Sequence, residues 1–557
     1  MVTSDRPARA TGLAARPASA QLVIAGLLLM AVAAGLAVTA LSVVPASDQI
    51  RWSAITLAVF CAGLLPLMSA AAGLTGLGLS SWRIGPWCLV WGSLAFGLAT
   101  ISWLSPQTIT GPSGSLMPGS MLRALWMLAV AMATLSAGYC AGPYRLAAGW
   151  ACRAAQRFTG RLTDQVRGPL VPWVLAAVGL ACQLGYAILT GHYGYVGNAA
   201  AAVTTASGYS QYLVVAGECL PLALVIAAFR AYQTRTPGAR LTLLAVFVAA
   251  IAAGAVAGGK ESFVVATLAV IIPHTIVRGR LPAGAITVAV LAFLLVVIPF
   301  NQAYRSSARG TVTLSTSQAV AAAPAIASQV LSADISAAVL GESASYLAQR
   351  LRTIDTPAMI MQRTPSQIPY ASPVQLLVAP LADVIPRILW PGKPVLTPGY
   401  QVSQEYFMLP ADVYTSSDVT PEADLYRHGG WIPLIIGMFL LGCGIRILDE
   451  VADLRRGVHG TLLIILLFPA IVEAGSDCAT LLAGLPGMVV LWLIVVNLSF
   501  ARRRALFVRR GGVRRVLLNL LPRGMAADFL SLGTTFSTIY RLEPISCPFI
   551  PGMSVPK

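Results

Sequence analysis

Charge is what this chain has least of. Only 11% of its 557 residues are Asp, Glu, Lys or Arg, against 57% hydrophobic, and the mean hydropathy is +0.75. So few charges cannot cover a globular surface, which excludes an ordinary soluble protein and leaves lipid as much of the solvent. Histidine is scarcer still. His192, His274, His428 and His459 are dispersed without an i, i+4 pair, which argues against a histidine metal site. The nine cysteines have no paired spacing, which excludes a disulfide framework and a clustered-thiolate zinc site. Neither a P-loop nor a dinucleotide-binding glycine pattern is present, which argues against an NTP-driven pump. The halves show no inverted repeat, although many secondary transporters do.

What the chain has in abundance is long apolar runs. A helix needs about 20 apolar residues to cross a bilayer. Such runs fall near 21–44, 53–79, 85–104, 122–141, 169–190, 210–229, 241–258, 262–277, 281–300, 430–446, 461–476 and 479–499, the eighth and eleventh being short. The sequence therefore predicts an all-α, polytopic bundle of about 12 transmembrane helices. Arg6, Arg9 and Arg16 precede a run too long for a cleavable signal, so it reads as a retained helix starting inside. The alternation then places about 27 of the 38 Lys and Arg on the cytoplasmic side, as the positive-inside rule requires. The net charge of +17 is thus a topology signal, because the arginines flank apolar runs instead of forming one basic face for nucleic acid. The tail arginines Arg502, Arg503, Arg504, Arg509, Arg510, Arg514 and Arg515 can also hold anionic lipid headgroups.

The expected organisation is a cytoplasmic segment (1–20), nine helices (21–300), a large outer loop (301–429), three more helices (430–500) and a basic cytoplasmic tail (501–557). A loop this long points to function. Its stretches Ala319–Arg352 and Val374–Leu389 keep apolar residues at helical spacing, which predicts amphipathic helices along the membrane surface.

Outer cations gather near this loop: Lys260 between the seventh and eighth runs, Arg305 and Arg309 in NQAYRSSARG, then Arg350, Arg352, Arg363, Arg387 and Lys393. Arginine forks match phosphate oxygens, although single arginines also snorkel to headgroups. Carboxylates follow at Glu405, Asp412, Asp418, Glu422 and Asp424, with Glu473 and Asp477 in the last turn. Aromatic residues are interleaved, among them Trp390, Tyr406 and Tyr426, and such rings stack on sugars or simply sit at interfaces. Glu218, in the middle of an apolar run, keeps a transporter reading open.

Two segments carry a resemblance: IPRILWPGKP (Ile385–Pro394) and DLYRHGGWIPLIIGMFLLG (Asp424–Gly442). Together with Lys260 in GGKES and Tyr304–Arg305, they resemble the Wzy-type O-antigen and exopolysaccharide polymerases over roughly 245–450. The sequence departs from that pattern at His428, where Asn is usual, at Gly429, where Phe is usual, and at Asp424, where Glu is commoner. A related group of lipid-phosphate-sugar transferases carries paired acids in the first outer loop; here Pro45–Trp52 offers only Asp48.

The resemblance implies a bacterial cytoplasmic-membrane enzyme with both termini inside. It would polymerise polyprenyl-pyrophosphate-linked oligosaccharides on the outer face, without an obligatory metal or cofactor. Lys260, Arg305 and Arg387 are then expected to hold the pyrophosphate, with Arg309 in reserve. Asp424, with Glu422 and His428 as rivals, would be the base, and Tyr426, Trp390 and Tyr406 the sugar contacts. Expected partners are the lipid-linked donor and acceptor, membrane lipids, a chain-length regulator and a flippase. The alternatives are an O-antigen-ligase-type transferase and a transporter or flippase for lipid-linked glycans.

Overall fold

The computed structural model describes residues 16–73, 82–104, 116–142, 144–193, 196–197, 210–308, 316–332, 337–385, 389–390, 398–410, 416–454, 458–472 and 477–502. Arg309, Arg387 and residues 503–557 lie outside them. The described part is almost wholly helical. In chain order it runs α1 (Arg16–Ser42), α2 (Gln49–Ala71), α3 (Ile84–Trp91, continued by π and 3₁₀ turns to Leu104), α4 (Pro118–Cys140), α5 (Tyr144–Thr159) and α6 (Val171–Thr190). Next come α7 (Ser210–Gly217), α8 (Cys219–Thr234), α9 (Pro237–Ala257), α10 (Glu261–Arg278), α11 (Ala283–Ala292) and, after a π turn, α12 (Ile298–Ala308). The loop region holds α13 (Thr316–Ser332), α14 (Ala337–Leu351), α15 (Asp355–Arg363), α16 (Gln375–Val384), α17 (Pro398–Glu405) and α18 (Pro421–Arg427). The bundle closes with α19 (Trp431–Val451), α20 (His459–Val472) and α21 (Cys478–Ser499). Two minor antiparallel pairs, β1 (Leu162–Val166) with β4 (Phe500–Arg502) and β2 (His192–Tyr193) with β3 (Val196–Gly197), complete it.

Eleven helical stretches among the described residues are long and apolar enough to cross a membrane. The eleventh expected run, 461–476, forms α20, which has only 14 residues and is not among those eleven. The second run also stops early, at Ala71, before the glycine-rich residues that extended it to 79 in sequence. Apolar side chains on α1, α6, α9 and α19, such as Leu28, Ile188, Leu241 and Ile432, remain exposed. In water such surface would be a liability; it is the face that lipid covers.

Two helices are buried nearly all round. On α8 the run Leu222–Phe229 is inside, and on α20 the run Gly460–Phe468. A helix apolar on every face belongs at the centre of a bundle, and α6, α9, α10 and α20 pack around α8. The sharpest crossing is that of α4 with α19, where a Cβ on Gly138 would strike the Phe439 carbonyl and one on Gly442 the Leu135 carbonyl. Small residues let membrane helices approach this closely. Gly442→Ala is therefore expected to lower stability by about 1–3 kcal/mol through overpacking. Gly444, with nothing within 4 Å of its missing Cβ, is the control. Equal unfolding temperatures for the two alanine variants in one detergent would contradict the close crossing.

One end of this crossing is held by charge. Asp449 Oδ1 accepts from the Ile84 backbone N–H (2.7 Å), and its Oδ2 accepts from the Gly85 N–H (3.0 Å) and the Tyr139 hydroxyl (2.8 Å). Beside it Glu450 pairs with Arg83 (3.1 Å) and Arg446 (3.0 Å). The Arg446 guanidinium lies 5.0 Å from the ring centres of both Tyr139 and Tyr144. This network joins the start of α3, the end of α4 and the end of α19.

Candidate functional site

The turn between α9 and α10 is built by side chains from α12. Asn301, Tyr304 and Arg305 share one helix face by their spacing. Asn301 Nδ2 donates to the Gly258 carbonyl (2.5 Å), Arg305 Nε to the same oxygen (3.3 Å), and the Tyr304 hydroxyl to the Val256 carbonyl (2.8 Å). These are the carbonyls a helix leaves without partners at its C-terminus. Lys260, which precedes the first residue of α10, is thereby fixed beside Arg305.

A third cation comes from α14. Arg350 is steadied by Tyr346, its guanidinium 5.3 Å from the ring centre and its Nε donating to the hydroxyl (3.1 Å). Lys260, Arg350 and Arg305 all act on one carboxylate, Asp418. Partial burial raises that carboxyl above its ordinary 3.8, and the three cations pull it back. An anion placed there meets positive charge from three separate elements.

Along α10 runs an apolar groove of about 330 Å³. Trp87, Trp91, Leu268, Phe293, Leu347 and Phe468 line it, and its charged lining residues are Lys260 and Glu261. Along α10 its lining runs from Lys260, just ahead of the helix, to Leu268, so the cation stands at the N-terminal limit of the lining on that helix.

The α18 acids are held differently. Thr420 caps α18 through the Ala423 N–H, with Pro421 in the first turn. Asp424 is only 2% exposed. Its Oδ2 accepts from the Cys478 N–H (3.2 Å) and its Oδ1 lies 3.2 Å from His428 Nδ1. Asp477 caps α21 through the Thr480 N–H (3.0 Å) and hydroxyl (2.7 Å), and burial raises its carboxyl. Carboxylates at this helix start also face the positive end of its dipole. Asp424 thus ties α18 to α21, while His428 Nδ1 lies against Asp424, 2.8 Å from its backbone carbonyl and 3.2 Å from its carboxylate.

Glu422 is buried as well, and its Oε2 has no hydrogen-bond partner among the described residues. It faces a void of about 20 Å³ whose wall, Trp91 and Val472, also lines the apolar groove. Burial lifts its carboxyl above the ordinary 4.5, and hydrogen bonds from Thr420 and the backbone draw it partly back. The folded protein thus keeps a proton that the unfolded chain releases near pH 4.5. Stability should fall as pH rises from there through the raised folded value, then level off. Glu422→Gln is expected to remove that slope and to unfold at higher temperature than the parent at pH 8, the gap closing toward pH 4. Parallel curves at every pH would refute this.

Aromatic residues ring the exit of α18. Tyr426 meets Tyr370 and Trp431 edge-on, with ring centres 6.2 and 5.9 Å apart. Burial and the Tyr370 hydroxyl push the Tyr426 phenol up to about 12. Gly429 and Gly430 then take φ of 139° and 76°, backbone that favours glycine, and release the chain into α19. Tyr406 is fully buried, its hydroxyl 2.8 Å from that of Thr364, whereas Trp390 is 41% exposed.

Of the residues singled out in sequence, Lys260 and Arg305 come together, as do Asp424 and His428. Asp418 and Arg350 stand with the first pair although sequence gave them no special place; the signal available was their charge in a chain with only 21 acids. No group of three or more His, Cys, Asp or Glu able to hold a metal occurs among the described residues.

Fold and site together define a multi-pass helical membrane protein with an apolar groove lined by Lys260, which acts with Arg305 and Arg350 on Asp418. The chain belongs to a domain family of unknown function (DUF8712), whose model matches residues 187–473, just over half of its length. No curated protein and no solved structure matches it. The matched region contains Glu218, Lys260, Arg305, Asp418 and α18, so the cation cluster falls inside the family domain.

Proposed function

We propose that this protein is a membrane glycosyltransferase that joins polyprenyl-pyrophosphate-linked oligosaccharides into a cell-surface polysaccharide. The observation that carries this reading is Lys260 lining the apolar groove while Arg305 and Arg350 act with it on one carboxylate, Asp418. An isoprenoid chain fits the apolar walls, and a pyrophosphate fits the cations, where it displaces Asp418 as their anion. In the transfer, an acceptor sugar hydroxyl attacks the anomeric carbon of the donor as the bond from that carbon to the pyrophosphate oxygen breaks. The fixed cations stabilise the charge that builds on the leaving pyrophosphate. The hydroxyl proton goes to a carboxylate, for which Asp424 paired with His428 is the candidate, with Glu422 beside it.

The reading places the reaction on the outer face of a bacterial cytoplasmic membrane with both termini inside, in accord with the charge bias of the sequence. The test is direct. Protein reconstituted in lipid nanodiscs, given lipid-linked repeat units from the producing cell, should yield a ladder of longer lipid-linked chains and free polyprenyl pyrophosphate. Repeat units left unjoined, or transferred only to a different acceptor, would overturn polymerisation.

A further inference from the structure

Glu218, the ionisable residue in the middle of an apolar run, stands at a break in a helix. Residues 210–234 form one span-length stretch, yet α7 ends at Gly217 and α8 begins at Cys219. Pro221 gives the reason: it has no N–H to donate to the Gly217 carbonyl four residues earlier. Gln183 Nε2, from α6, donates to that oxygen instead (3.3 Å). The Tyr193 hydroxyl lies 3.0 Å from Gln183 Oε1 and 3.2 Å from the Ala253 carbonyl, so a polar network holds the break open. Discontinuous membrane helices are a recurrent way to form binding sites at depth.

The break faces a cavity of about 570 Å³ between α6, α7, α8, α9, α10 and α20. That size suits a small molecule. Among the described residues Glu218 and Glu261 line it and no Lys, Arg or His does, and Tyr186 and Tyr193 supply aromatic walls beside Leu213, Leu220 and Leu224. The Glu218 side chain has no hydrogen-bond or ion-pair partner among the described residues. A carboxylate at membrane depth is costly to leave without a counter-charge. The cavity is too roomy for a bare metal ion, which needs several oxygens converging at about 2.3–2.6 Å. Carboxylate, aromatic rings and apolar walls are together what an organic ammonium group requires.

We propose that this cavity is a binding site for a small organic ammonium compound, with Glu218 as the counter-ion, Glu261 as a second acid and Tyr186 and Tyr193 as the aromatic wall. The site is separate in chemistry from the cation cluster, which selects anions, and it stands whether or not the protein transfers glycans. Glu261, Val265 and Pro469 line both this cavity and the apolar groove.

The test is calorimetric titration of the full chain in nanodiscs with benzyltrimethylammonium, choline, the neutral choline isostere 3,3-dimethylbutan-1-ol, and sodium chloride. Saturable binding of at least one ammonium probe is expected, with none of the neutral isostere. Glu218→Gln, nearly isosteric, should weaken it roughly thirtyfold or more, as loss of a desolvated charge pair does. Tyr186→Leu should weaken it several-fold, as loss of a cation–π contact does. Unchanged elution and thermal unfolding of Glu218→Gln would show that the fold is intact. Four results would each overturn the proposal: no saturable binding of either ammonium, equal affinity in Glu218→Gln, equal binding of the neutral isostere, or displacement of the ammonium by sodium at comparable concentration.

Discussion

Replacing Arg305 by alanine is expected to abolish long-chain polysaccharide while single lipid-linked repeat units accumulate. The guanidinium does two things: its Nε holds the Gly258 carbonyl, and its charge adds to those of Lys260 and Arg350 at Asp418. Removing one fixed donor from a developing oxyanion typically costs about 10²–10³ in rate. Lys260→Ala should show the same phenotype, since that ammonium lines the groove. Arg305→Lys separates the two roles: it retains a charge but not the fork, so partial recovery of chain length points to the phosphate contact. Arg387→Ala carries the same expectation from sequence. Gel profiles of surface glycan and extraction of the lipid-linked pool are the measurements. Normal chain length in Arg305→Ala and Lys260→Ala, with normal protein levels, would remove the pyrophosphate assignment.

The largest expected effect on stability is that of Asp449→Ala. Three buried donors, the Ile84 and Gly85 N–H groups and the Tyr139 hydroxyl, converge on this carboxylate, and alanine leaves all three without it. Breaking one partner of a buried charged network costs about 3–5 kcal/mol. The loss should appear as a marked fall in unfolding temperature and as early proteolysis near the start of α3. Asp449→Asn should fall between, because the amide keeps an acceptor oxygen but gives up the charge-assisted bonds. A change in Asp449→Ala no larger than that in the Gly444→Ala control would show that the network does not hold the helices.

The spanning helices were legible because membrane length imposes a minimum apolar run, which composition alone reveals. Where a run ended was less legible. The sequence from Gln49 to Ser80 stays apolar, but its glycines do not continue α2 beyond Ala71. The 461–476 run is already short for a span in sequence, but only the structure shows that α20 is buried along nearly its whole length. Lys260 and Arg305 could be paired through the motifs GGKES and NQAYR, before any geometry. Asp418 and Arg350 could not, because periodicity reports which face a residue occupies and not which distant element meets it. The same limit hid the Asp449 network. Arg446 counts in sequence only as a cation at the end of an apolar run, Asp449 and Glu450 carry no signal there, and their partners Arg83, Ile84, Gly85 and Tyr139 lie more than 300 positions earlier.

Glu261 is shared between an apolar groove lined by aromatic rings and Lys260 and a pocket that carries two acids. Its charge is felt in both spaces, so a ligand that draws the side chain toward one changes the field in the other. Thermodynamic linkage makes this symmetric: whatever factor the first ligand imposes on the second, the second imposes on the first. With Val265 and Pro469, the first residue of α10 is thus where the two proposed binding equilibria would share a term.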